Sequence, residues 1–188
     1  TGLSTGMKQN GSITVALTEA RKEEIYRQAS LARAFDVDVQ EISPTEAKAM
    51  YPHLNTDGVT AAVHLPLDGQ CDPANIALAL AKGARQMGAT IVEGVKVTGV
   101  NQADGAVTGV TYERDGEPAS IDADVVVNCG GMWARDFAAM AGVTVPLHAC
   151  EHFYIVTEPV EGLTQMPVLR VPDECAYYKE DAGKMMLG

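Results

Sequence analysis

The run Asp124-Val125-Val126-Val127-Asn128-Cys129-Gly130-Gly131 constrains this chain more than any other segment. Consecutive β-branched residues closing on paired glycines predict a strand covered on both faces, because a half-buried strand alternates apolar with polar residues. Such a strand belongs in the middle of a parallel sheet, and its carboxyl end opens on a crevice of the kind that habitually holds ligands. A helix is expected directly after it, from Trp133 to Ala141. The expected fold class is therefore α/β (α+β).

The rest of the chain supplies the elements around that strand. Ser12 to Leu17 is β-rich, and Thr18 opens a helix to about Ala34 with Ile25, Ala29 and Ala32 at helical spacing. Val37 to Ile42 alternates as a half-buried strand does. Ser43-Pro44-Thr45-Glu46 is a capping box with proline in the first turn, so a short helix follows until Pro52 stops it. Thr60 to Leu65 is again β-rich. Asp72 and Pro73 start a helix to about Met87 whose apolar residues cover most of its circumference, which predicts burial. Turns at Asp104-Gly105 and Asp115-Gly116 fold the strand region from Thr90 to Ala123 into an antiparallel meander. Leu147 to Thr157 is expected to be a strand, and Ala176 to Gly188 a hairpin around Asp181-Ala182-Gly183.

Charge and cysteine spacing narrow the partners. With 14 Lys+Arg against 25 Asp+Glu the net charge is −11, so a nucleic acid is repelled rather than attracted. The apolar runs fall far short of the ~18 residues that cross a bilayer, and no membrane partner is expected. Residues Thr1 to Gly6 carry no secretory-signal pattern. Cys71, Cys129, Cys150 and Cys175 are scattered without metal or redox spacing, so they read as reduced thiols and a cytoplasmic location is expected. His148, Cys150 and His152 alternate along one segment, but neighbouring positions on a flat strand converge poorly on an ion, and no metal is expected. Asp68 and Asp72 read as turn and cap residues. The chain has no initiator Met and closes on the strand-like Lys184-Met185-Met186-Leu187-Gly188, so it is expected to be a fragment.

The order of these elements, together with Gly11-Ser12-Ile13, Tyr51-Pro52-His53-Leu54, Asp68-Gly69-Gln70-Cys71-Asp72-Pro73, Lys82-Gly83-Ala84-Arg85, Val127-Asn128-Cys129-Gly130-Gly131-Met132-Trp133-Ala134 and His152-Phe153-Tyr154, resembles the FAD-dependent amine oxidoreductases of the D-amino-acid oxidase superfamily. The likeness is greatest to the dimethylglycine and sarcosine dehydrogenase group and covers nearly the whole chain. It implies a partial FAD-binding Rossmann-type domain with a β-meander at residues 72–142, flanked by two parts of a β-rich substrate lobe at residues 1–71 and 143–188. It further implies oxidative N-demethylation of a methylated glycine: hydride leaves the N-methyl carbon for the flavin, and the resulting iminium is hydrolysed or captured by tetrahydrofolate bound in a downstream domain.

By the same resemblance Val97, Asn128, Gly130, Gly131 and Trp133 lie on the cofactor side, and His152 and Tyr178 on the catalytic side. Paired glycines suit close backbone approach to a ligand, although an ordinary strand-to-helix turn also uses them. Trp133, from its own position, reads as packing the start of the helix. An imidazole near neutrality suits proton management at an amine, and a backbone-bonded strand histidine is the plainer reading of His152. Strand alternation sets Phe153 opposite His152 and Tyr177 opposite Tyr178, so one of the two tyrosines faces the site, with Tyr178 preferred. No Gly-x-Gly-x-x-Gly phosphate loop occurs in the 188 residues, so the chain alone is expected to be inactive and to lose FAD. Self-association into a homodimer through an uncovered apolar face is expected. The competing expectations are an FAD-dependent oxidoreductase of 2-hydroxy acids and a non-catalytic structural or binding module.

Overall fold

Ser12–Ala16 forms β1, the strand around which the larger part of the chain is built. The computed structural model describes residues 1–188, which divide into two units, Thr1–Gly83 with His152–Gly188 and Ala84–Glu151. After β1 come α1 (Glu19–Arg33), β2 (Gln40–Ile42), α2 (Pro44–Met50), β3 (Ala61–Leu65) and α3 (Pro73–Gln86). The second unit holds β4 (Val95–Ala103), β5 (Ala106–Arg114), β6 (Glu117–Asp122) and α4 (Ala134–Ala139). The chain then returns to the first unit with β7 (Ile155–Val156), β8 (Val168–Val171), β9 (Ala176–Asp181) and β10 (Lys184–Leu187). No helix is long and apolar enough to cross a membrane.

The first unit is a mixed seven-stranded sheet in the order β2-β3-β1-β8-β9-β10-β7. β1 pairs antiparallel with β3, Ile13 opposite His64, and parallel with β8, Ser12 opposite Val168. With a ladder on each edge its side chains alternate between two covered faces. Ile13 and Val15 pack with Leu169, Val171, Ala47, Tyr51 and Leu54, whereas Ala16 turns the other way to join Ala61, Val63 and Val39 beneath Ile25 and Ala29 of α1. Both helices begin where the sequence places them. Thr18 accepts from the Arg21 N–H, and Ser43 and Glu46 form the reciprocal capping box with Pro44 in the first turn. Asp173, beyond β8, accepts hydrogen bonds from the Leu17 N–H at 2.9 Å and the Thr18 hydroxyl at 3.1 Å, pinning that turn to the start of α1.

The second unit contains the expected meander, β4-β5-β6, all antiparallel. Its two turns place Asp104 and Gly105, then Asp115 and Gly116, in the left-handed region, the conformation that a two-residue hairpin loop demands. The β9–β10 hairpin uses Ala182 and Gly183 in the same way.

Several expectations fail for one shared reason, the lack of a neighbour. Asp124 to Asn128 forms no strand, and Val125 and Val127 are 74% and 76% exposed, because no strand of this chain pairs with them. Of the strand expected from Leu147 to Thr157 only β7 forms, where Ile155 and Val156 meet Leu187 and Met186 of β10. The strand expected at Val37 to Ile42 shortens to β2, and that expected from Thr90 starts at Val95. Helix α3 buries only Ala79 and leaves Leu78 and Leu80 exposed, since a helix apolar around most of its girth needs partners on several sides. The helix after the glycines starts as a tight turn over Gly131–Trp133 before α4.

Two outcomes follow from this packing. Ile13→Ala, which empties a fully buried site between two ladders, is expected to cost about 2–5 kcal/mol in urea unfolding. The Leu17 amide, more than any other neighbour, holds the Asp173 carboxyl below the usual carboxylate range. Its folded-state value lies under the unfolded one, so its contribution is complete above about pH 4 and disappears as pH falls through the folded value. Asp173→Asn is therefore expected to flatten the acid limb of a plot of urea midpoint against pH, with little change in slope near neutrality.

Candidate functional site

In the second unit a cavity of about 670 Å³ lies between β4 and the loop leading into α4. Apolar side chains dominate it: Val95 and Val97 from β4, Val127 from the loop, and Trp133, Phe137 and Met140 from the α4 region. Because β4 is an edge strand of the meander, alternate backbone N–H and C=O groups along it have no ladder partner. The register slips just after Val97, at the bulge between Val97 and Gly99. Four of the five residues that the sequence assigns to a cofactor, Val97, Asn128, Gly130 and Trp133, line this one cavity. Gly131 does not.

Local geometry explains the loop. The Asn128 side chain donates from Nδ2 to the Ala134 carbonyl at 2.8 Å and accepts from the Gly130 N–H at 3.1 Å, stapling the loop to the first turn of α4. A Cβ on Gly130 would come within 3.1 Å of Asn128 Oδ1 and 3.2 Å of the Ala134 nitrogen, so its own turn is crowded enough to favour glycine there. Gly131 has a φ of +54° and open space around it, so its need is conformational. Neither glycine needs a ligand to account for it. Trp133 does not pack the helix start either, being 67% exposed with its ring in the cavity wall. Phe137 and Met140 were not singled out from the sequence. Their spacing from Trp133, four and seven residues on, is the helical-face signal that identifies them.

The two residues expected to be catalytic lie in the first unit. Tyr178, half-buried on β9, faces the core and lines a cavity of about 310 Å³ with Tyr51, His53 and Met185. The Tyr51 hydroxyl donates to Met185 Sδ at 3.4 Å, and its pKa is pushed up to about 12, by burial first and by the charge of Tyr178 second. Tyr51 is thus a fixed proton donor at any ordinary pH. On its outer side Tyr178 also borders a shallow groove of about 290 Å³ with Phe153, Tyr154 and Leu187. Tyr177, on the other face of β9, belongs to a separate cavity with Gln70 and Cys71. His152 is exposed, lies outside any strand and lines neither of the Tyr178 cavities, so strand alternation does not orient it. All four cysteines are free, with Cys71 half-buried and the others exposed.

The whole chain, residues 1–188, matches the family described as FAD dependent oxidoreductase (DAO). It is 38% identical over 193 residues to mitochondrial sarcosine dehydrogenase of Homo sapiens, covering all of this chain and 21% of that protein. It is 35% identical over 192 residues to the mitochondrial pyruvate dehydrogenase phosphatase regulatory subunit of Mus musculus, again covering all of this chain and 21% of the relative. The chain thus spans about a fifth of the length of these curated relatives. Among solved structures, L-proline dehydrogenase from P. horikoshii superposes with a TM-score of 0.81 at 27% identity, over 100% of this chain and 50% of that one.

The Asn128 staple gives a direct expectation. Asn128→Ala removes both of its hydrogen bonds, and amide exchange from Gly130 to Ala134 is expected to accelerate while the β1 core stays protected. Equal loss of protection across both units would count against a local role.

Proposed function

This chain belongs to the FAD dependent oxidoreductase family, and from that premise we propose that it forms part of an enzyme oxidising an N-methylated glycine such as sarcosine or dimethylglycine. The observation that carries this reading is the gathering of Val97, Asn128, Gly130 and Trp133 around one apolar cavity. The residues fit a flat heteroaromatic group. Its 670 Å³ lies within the roughly 300–1,000 Å³ of small-molecule pockets, its walls are aliphatic and aromatic, and its β4 edge offers backbone donors and acceptors. FAD, when bound, supplies the two-electron acceptor. No Gly-x-Gly-x-x-Gly loop occurs in the chain, so its share of the binding is the contact with Val97 and the Asn128 loop rather than the pyrophosphate.

The remaining tasks fall to side chains of the first unit. In this reading Tyr178 holds the amine nitrogen unprotonated and oriented, since hydride departure from the methyl carbon needs the nitrogen lone pair free, and His152, which lines neither Tyr178 cavity, keeps its role from the family resemblance alone. Tyr51 shares the cavity behind Tyr178 and keeps its proton through burial, its hydroxyl donating to Met185 Sδ. Phe153 and Tyr154 flank Tyr178 in the shallow groove and offer aromatic surface to the substrate. In the same reading, water adds to the resulting iminium carbon and the C–N bond breaks, releasing the demethylated amine and formaldehyde, or tetrahydrofolate takes up that one-carbon unit.

A second reading, a non-catalytic regulatory module, is favoured by the identity to the phosphatase regulatory subunit. Dye-linked turnover separates the two. The flavin-loaded whole enzyme, of which this chain is proposed to form part, is expected to reduce a dye with sarcosine or dimethylglycine and not with 2-hydroxyglutarate, and Tyr178→Phe in it is expected to lower kcat/KM by about 10²-fold. Turnover of the hydroxy acid alone rejects the amine assignment. Turnover of none of the three, with flavin retained, supports the regulatory module.

A further inference from the structure

Asn10-Gly11 is the one place in the sequence where an asparagine precedes a glycine, since Asn55, Asn75, Asn101 and Asn128 precede Thr, Ile, Gln and Cys. The pair is chemically special, because glycine sets no side chain in the way of its own nitrogen and its backbone turns freely. In an open chain that nitrogen attacks the asparagine Cγ and closes a cyclic succinimide. The fold nevertheless uses both residues. Gly11 is buried with a φ of +78°, and a Cβ on it would come within 2.8 Å of His64 Nε2, so conformation and crowding both select glycine. Asn10 ties the entry of β1 to the segment before β8, its Nδ2 donating to the Met166 carbonyl.

These same contacts restrain the reaction in the folded chain. The Gly11 N–H donates to the Asp68 carbonyl at 2.9 Å, and the Gly11 carbonyl accepts from the Val168 N–H at 3.0 Å, so the attacking residue is clamped on both sides. The group that must leave as ammonia is the one bonded to Met166, itself only 3% exposed. Asn10 Oδ1 is shielded from solvent and has no hydrogen-bond partner, and reversing the amide would set that oxygen against the Met166 carbonyl. Separation of β1 from β8 and from the loop after β3 releases all of these restraints together. We propose that Asn10 is a latent deamidation site, silent in the folded chain and activated when the entry of β1 opens, whose product cannot remake the native contacts.

The step needs only water. The Gly11 nitrogen bonds to Asn10 Cγ and gives up its proton, the Cγ–Nδ2 bond breaks, and ammonia departs. Water then adds to one of the two ring carbonyls and breaks its bond to nitrogen, leaving aspartate, or isoaspartate with the side-chain carbon taken into the main chain. Either product loses the Nδ2 donor and sets a carboxylate where the Met166 carbonyl faces it and solvent is excluded. Isoaspartate also lengthens the backbone beside the two Gly11 hydrogen bonds. A transient opening thereby becomes permanent, and the lifetime of the fold is set by how often β1 opens.

The test needs neither flavin nor substrate. The full chain is held in neutral buffer, folded and in urea, beside a peptide of residues 7–14, and the mass gain at each asparagine and the isoaspartate content are followed by mass spectrometry. Asn10 is expected to convert readily in the peptide and in urea, and at least about tenfold more slowly in the folded chain, the factor set by an open form below a tenth of the population. The four other asparagines are expected to stay slow throughout. Ile13→Ala, which loosens β1, is expected to speed conversion of Asn10 in native buffer, and where that variant does not fold, the folded and urea rates of the unaltered chain decide. Asn10→Asp is expected to lower the urea midpoint or to prevent folding. Conversion in the folded chain as fast as in the peptide, no conversion in urea, or an unchanged midpoint for Asn10→Asp overturns the proposal.

Discussion

The larger unit depends on β1 being hydrogen-bonded along both edges. Its antiparallel ladder to β3 runs the length of the strand and its parallel ladder to β8 covers Ser12 to Thr14, pairing the backbone of a largely buried segment so that Ile13 and Val15 can be driven fully into one face while Ala16 closes the other. The two helices are arranged around this strand. Helix α1 covers one face, the α2 region the other, and Asp173 ties the end of β8 back to the first turn of α1. Each of those contacts presupposes the ladder register.

The segment Val125 to Val127 shows the converse. Its side chains are at least as suited to a buried strand as those of β1, but no neighbouring strand offers a ladder and the segment stays extended, irregular and exposed. Hydrophobic content alone does not make a strand where the backbone polar groups lack partners. What holds its carboxyl end in place is polar: the Asn128 amide, which bonds to Gly130 and Ala134 and shapes the loop that walls the cavity beside β4.

The pleat of β9 divides the chemistry of the first unit. Tyr178 pairs with Leu169 and faces the core and Tyr51, whereas Tyr177 pairs with Arg170 and faces Gln70. Adjacent residues of the same type thus belong to different cavities, with different partners. The period of two predicted that the tyrosines would diverge. Which cavity each enters is set by the register of β9 on β8, a contact between segments that no local pattern encodes.

The features legible in the sequence were those whose interactions close within a few residues. The Ser43–Glu46 capping box, the Thr18 cap, the Asp-Gly turns of the meander and the hairpin at Asp181 to Gly183 all stand where the residue types placed them. The gathering of Val97 with Asn128, Gly130 and Trp133 was legible only through family resemblance. The orphaned oxygen of Asn10, the burial of Tyr51 and the exposure of Leu78, Leu80 and Val127 were not legible at all. A cap or a tight turn is decided by a hydrogen bond to a near neighbour and by local φ. Burial, and the loss of a hydrogen-bond partner inside it, is decided by which distant strands supply a ladder, and only the tertiary structure fixes that.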